Sequence, residues 1–291
     1  MKPKGHRKDG ILQHLCADSP RYTPMALLLS LAMVPLLGAA WLDERLFQGV
    51  NVWIKPLKFL FALSVYLLTL AWFARYAPTA TRQRRSWILH EQVVMWAIVA
   101  EILWIAGAAA QGTASHFNRS SLAMGVIYGF MGLAAIALTT ASTTLAFAIH
   151  RNPHTGLSTG TQAGLVWGLG LTLPLTLLTA GTMSGMSGHL VVNAGSGAVS
   201  LAVASAAADP AGGVAATASA LPLIGWSREA GDLRVAHFFA THALHIVPLM
   251  AWCWVRLGGG RHAWAVASLA LAYSSFVIFT FVQALMGRPF L

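Results

Sequence analysis

Seven stretches of this chain run for close to the roughly 20 residues needed to cross the apolar core of a bilayer. They lie at 25–42, 52–77, 87–110, 122–149, 163–183, 235–255 and 263–286. Inside a bilayer no water is present to satisfy a free N–H or C=O, so a spanning segment must close its hydrogen bonds within itself as a helix. The runs are continuous rather than alternating, which excludes barrel strands. An all-α, polytopic membrane protein follows: a seven-transmembrane-helix bundle. Composition agrees, because 56% of the 291 residues are hydrophobic and 10% charged, against about 25% charged in soluble domains. The seven spans and their connections leave no room for a second domain. Residues 1–24 read as a basic tail, 25–291 as the membrane domain, and 184–234 as one long connection rich in Ala, Gly and Ser.

Orientation follows from the basic residues. With the N-terminus cytoplasmic, 12 of the 19 Lys and Arg fall on the cytoplasmic side: Lys2, Lys4, Arg7, Lys8, Arg21, Arg75, Arg82, Arg84, Arg85, Arg151, Arg256 and Arg261. Seven fall opposite: Arg45, Lys55, Lys58, Arg119, Arg228, Arg234 and Arg288. That bias predicts a cytoplasmic N-terminus and an extracytoplasmic C-terminus. The net charge of +10 is then a topology signal with some attraction to anionic lipid, so the bilayer is the expected partner and nucleic acid is not. A crossing at 190–208 would invert the bias of all that follows, and that stretch reads at most as a re-entrant segment. Gly125 with Gly129, and Gly164 with Gly168, let helices approach closely. Pro174 and Pro248 predict kinks.

In so apolar a chain the polar residues near the membrane are the informative ones. The sixth span is the richest. Taking 100° per residue from His237, Thr241 lies at about 40°, His245 at about 80° and His242 at about 140°. Three imidazoles and a hydroxyl therefore share a face. Glu101 in the third span sits at a similar depth, with His90 and Gln111 on the same arc, and its carboxyl group is expected to be either neutral, because it is desolvated, or paired with a cation such as an imidazolium or Lys58. Lys55, Lys58, Arg119 and Arg234 read as a cationic rim able to receive a carboxylate or phosphate.

His116, His237, His242, His245 and Glu101 are the candidate ligand or relay residues, and no catalytic residue can be assigned. Neutral imidazoles suit haem iron or a divalent metal, with His116, His237 and His242 as the metal set. The same residues suit a proton relay in a transporter, a zinc-dependent membrane hydrolase, or an assembly or sensor role without chemistry. An anionic small molecule, a quinone or a lipid are the ligands considered. Oligomeric state is not legible. Cys16 and Cys253 lack a thiol motif.

The blocks WIKPLKF (53–59), ASHFN (114–118) and GDLRVAHFFATHA (231–243) together resemble those of a group of uncharacterised multi-pass bacterial inner-membrane proteins. The resemblance covers the second to seventh spans and implies a bacterial inner (cytoplasmic) membrane location. It implies no activity. Seven-helix zinc hydrolases of the ceramidase and progestin-receptor type offer a second comparison, but His242 and His245 are three apart where their paired histidines are four apart, and no matching Ser-His-Asp set is present.

Overall fold

The computed structural model describes residues 10–47, 49–116, 118, 121–185, 221, 225–259 and 262–291. Arg119, the 190–208 stretch and most of the connection 184–234 lie outside the described residues. The described chain is all-helical apart from one small hairpin. Its order is α1 (Ile11–Asp18), α2 (Tyr22–Leu42), β1 (Leu46–Phe47), β2 (Val50–Asn51), α3 (Ile54–Ala74), α4 (Thr79–Arg82), α5 (Arg85–Ala110), α6 (Leu122–His150), α7 (Thr159–Gly185), α8 (Leu233–Arg256) and α9 (Ala263–Leu285). Seven of these, α2, α3 and α5 to α9, are long and apolar enough to cross a membrane. Each matches an expected span to within four residues.

Contacts between connections separate two ends of the bundle. At the hairpin end, the Arg45 guanidinium donates to the Ala110 carbonyl at 3.0 Å. There β1 and β2 pair antiparallel with Phe47 opposite Val50, and Gly49 supplies the left-handed turn residue at φ 78°. The Asn51 amide fastens the hairpin by donating to the Asp43 carbonyl at 2.6 Å. Arg45 and the Trp53 indole both donate to the Asp43 carboxylate, and these bonds hold it below the usual carboxylate range. At the α4 end, Arg82 donates to the Asp18 carbonyl, and the Asn152 amide donates to the Tyr76 carbonyl at 2.8 Å.

Two apolar cores lie between these ends. The larger gathers Leu29, Leu60, Leu67, Ile98, Ile149 and Leu169 from α2, α3, α5, α6 and α7. The smaller gathers Leu175, Ala240, Val247, Tyr273 and Val277 from α7, α8 and α9. The seam between α7 and α8 is the tightest. A Cβ built on Gly164 would stand 2.2 Å from the Ala251 Cβ, and one on Gly168 2.5 Å from Pro248 Cδ. Only glycine lets the backbones approach so closely. Gly125 and Gly129 differ, since nothing lies within 4 Å of a Cβ at either and α6 buries no residue over 122–138. Pro35, Pro174 and Pro248 all lie inside continuous helices.

Two features were not expected. The short helix α1 lies within the basic tail and sends Leu15 into the larger core. A buried carboxylate, Glu91, faces the same end, where it accepts from Arg21 at 2.9 Å.

Candidate functional site

At the hairpin end the chain before α8 is docked rather than loose. Trp226 is buried and packs edge-on against Phe238 and Phe290, at 5.4 and 6.0 Å between ring centroids. A Cβ on Gly231 would fall 2.1 Å from the Ala284 carbonyl oxygen, so this segment rests directly on the end of α9. Asp232 caps α8 by accepting from the Arg234 amide at 3.0 Å, and it also accepts from the Ser227 amide at 3.1 Å. The Arg234 guanidinium closes the clamp with a bond of 2.7 Å to each of Asp232 Oδ2 and the Gly225 carbonyl. The Gly-Asp-Leu-Arg part of the block is thereby explained as a helix start held by its own ion pair.

The α8 histidines then point to different neighbours. His237 meets the Thr179 hydroxyl of α7 at 3.1 Å. His245, two turns deeper, meets the Thr69 hydroxyl of α3 at 3.0 Å through Nε2, while its buried Nδ1 has no hydrogen-bond partner. His242 stacks on Phe238 at 4.0 Å, with Nδ1 2.6 Å from the Phe238 carbonyl, and its ring centre is 5.5 Å from that of His245. The shared face is real, yet α3 and α7 take different members of it.

Across from α8, the start of α3 and the connection after α5 bring in the rest. His116 packs on Phe59 at 5.5 Å and bonds the Ser115 hydroxyl at 3.1 Å; the Trp104 indole donates to the Ser115 carbonyl at 2.5 Å and pins this turn. His116 is held in its neutral form, its pKa pushed down to about 3, first by burial and then by the charges of Lys55 and His237. Lys55 is also the cation that Glu101 faces. Lys58 lies within charge-interaction range of Arg234. Residues from α3, α5, the 111–121 connection and α8 thus gather at one end of the bundle.

Three expectations need correction. The charge that acts on Glu101 is that of Lys55, where Lys58 was expected, and Lys58 lies within charge-interaction range of Arg234. Among the described residues no hydrogen bond or ion pair joins Glu101 to His242 or His245: Glu101 is 4% exposed and its Oε2 has no hydrogen-bond partner. Third, no three His, Cys, Asp or Glu among the described residues stand as a metal-holding group, which leaves the set His116, His237 and His242 without support. The physical reason is helical: five residues put His237 and His242 about 140° apart around α8. Arg234, expected in an anion rim, is neutralised by Asp232, and Arg119 lies outside the described residues.

Glu91 escaped notice because its partner is 70 residues away and the sequence gives no local pattern for such a pair. Thr69 and Thr179 had no signal either, being hydroxyls inside apolar spans. Compared with protein-family models, curated proteins and solved structures, the chain matches none. Its site therefore has to be interpreted from its own geometry.

Proposed function

We propose that this chain is a multi-pass protein of a bacterial inner membrane that binds a small anion at the hairpin end and couples its movement to proton transfer through Glu101 and the neighbouring imidazoles. One observation carries the reading. A carboxylate buried to 4% exposure, with one oxygen lacking any hydrogen-bond partner, lies within charge-interaction range of Lys55, and His116 lies within that range of both Lys55 and His237. A buried carboxyl group left partly unsatisfied costs stability, and within a membrane such groups mark ion pathways and proton relays. Lys55, within charge-interaction range of both Glu101 and His116, is the cation proposed to receive a carboxylate or phosphate guest.

The 12-to-7 distribution of Lys and Arg supports a cytoplasmic N-terminus and an extracytoplasmic C-terminus, which puts the site on the extracytoplasmic side. The three sequence blocks support the bacterial location. A divalent-metal or zinc-hydrolase reading has no support from a metal-holding group of three His, Cys, Asp or Glu among the described residues.

Purified protein in liposomes loaded with a pH-sensitive dye tests this. Phosphate, succinate and glutamate are added in turn, and at least one should acidify the lumen. Glu101→Gln should reduce the dye response more than tenfold while anion binding persists, and Lys55→Gln should reduce both. No response to any of the three anions, or an undiminished response in Glu101→Gln, contradicts the proposal.

A further inference from the structure

The opposite end of the bundle carries a cavity that the proposed function does not use. Its volume is about 430 Å³, within the range of small-ligand sites. It opens between the turn after α3, the start of α5 and the end of α6, and its lining includes Thr81, Arg84, Ser86, Trp87, Phe147 and Arg151. His90, also on the wall, bonds Thr140 at 2.8 Å and ties α5 to α6 beneath it.

The charge balance around this cavity is uneven. Of the other arginines at this end, Arg21 is paired with Glu91 and both Arg75 and Arg82 with Asp18, while Arg85 and Arg256 lie outside the cavity lining. Arg84 and Arg151 have no carboxylate within 4.0 Å among the described residues. Arg151 is instead held at the rim over the Phe147 ring, 3.9 Å from its centroid. Arg84 is the N-cap of α5, where no side chain caps the first amides and no acid sits in the first turn, so the positive end of a 26-residue helix adds to the two guanidinium groups. The cavity is cationic and hydroxyl-bearing at its lip and apolar within, where Trp87 and Ala148 are buried.

Its position selects among anions. The lining residues stand where α5 and α6 begin and end as spans, the level of lipid headgroups. From Ser86 a single stripe of α5 continues into the span through Leu89, Val93 and Trp96, exposed by 60%, 55% and 71%, at the spacing of one helix face. A soluble phosphate would use the arginines and leave this stripe idle. A phospholipid would use both.

We propose that this cavity binds the phosphodiester headgroup of an anionic bilayer phospholipid, with an acyl chain laid along the Leu89, Val93 and Trp96 face. Basic pockets between membrane helices recognise such headgroups through their Lys and Arg. The site is independent of the Glu101 reading.

The test is native mass spectrometry of the delipidated full chain in detergent, with dioleoyl phosphatidylglycerol, dioleoyl phosphatidylcholine or inorganic phosphate added. Wild type should retain phosphatidylglycerol over phosphatidylcholine. Arg84→Gln and Arg151→Gln should each lower that retention about fivefold, and the double variant about thirtyfold, at the strength of one surface arginine per step. Arg84→Lys with Arg151→Lys should keep most of it, and Arg256→Gln should change nothing. Equal retention of the two lipids by wild type, or undiminished phosphatidylglycerol in the single and double Gln variants, overturns the proposal. Phosphate retained with no lipid preference also overturns it and assigns the cavity to a soluble anion.

Discussion

Glu91 and Glu101 stand on the same helix and are equally buried, at 4% exposure each, yet they are partnered differently. Glu91 faces the α4 end and is bonded at 2.9 Å to Arg21, in an end where Asp18 likewise joins Arg75 and Arg82. Glu101 faces the hairpin end, where its Oε2 has no hydrogen-bond partner and the charge of Lys55 acts on both it and His116. A closed pair is a structural device: its carboxylate is already engaged by a cation. An incompletely satisfied group with a shared counter-charge is the one to which the proposed function gives the proton. Burial is identical, so partnership separates architecture from chemistry in this bundle.

The largest effect expected from breaking this contrast is at the closed pair. Arg21→Met strands Glu91 in the bundle and should destabilise the protein by about 3 kcal/mol, the cost of removing one partner of a buried ion pair. Thermal unfolding in detergent measures it. Arg21→Met together with Glu91→Leu should recover most of the loss, because the stranded charge is then gone.

A somewhat smaller effect belongs to the seam that aims the α8 histidines. Gly168→Ala places a methyl 2.5 Å from Pro248 Cδ and 2.9 Å from the Ala243 carbonyl oxygen, and should cost about 2 kcal/mol as an overpacked contact. Gly125→Ala, with nothing within 4 Å, should leave the unfolding temperature unchanged. Equal effects at the two positions would mean that the α7 and α8 seam is not as close as described.

The smallest effect, over the two pH units from 7 to 5, is a pH dependence at His116, the imidazole in the 111–121 connection. Its folded-state pKa is pushed down from 6.5 to about 3, so the folded protein holds it neutral while the unfolded chain takes up a proton. The stability it allows is complete above about pH 6.5 and declines as pH falls toward 3, by at most about 1.4 kcal/mol per pH unit. Unfolding followed between pH 7 and pH 5 should fall less steeply in His116→Gln than in wild type. Parallel slopes would place His116 in contact with solvent.

The spans were legible because lipid leaves a helix no alternative to closing its own hydrogen bonds, and an uninterrupted apolar run records that directly. The gathering of Lys55, His116 and His237 was legible as well, since each lies near a helix end on one side of the bundle. What failed was direction around each helix. Lys55 and Lys58 are about 300° apart, and nothing local decides which of them turns toward Glu101. His237 and His245 lie about 80° apart by the same arithmetic, but α7 and α3 approach α8 from different sides and take one each, through Thr179 and Thr69. The short α1 was illegible because eight residues in a basic tail form a stable helix only by docking Leu15 on the bundle.

The claim that partnership decides role is tested most directly by putting both glutamates through one assay. Glu91→Gln and Glu101→Gln are reconstituted at equal folded content, and proton uptake is followed with the internal dye during addition of the anion that drives the wild type. The account expects Glu91→Gln to keep the wild-type response per folded molecule and to melt at a lower temperature. Glu101→Gln should melt within a few degrees of wild type and lose more than nine-tenths of the response, a loss of at least about 1.4 kcal/mol in coupling. A full response in Glu101→Gln, or an equal loss in both variants, would contradict it.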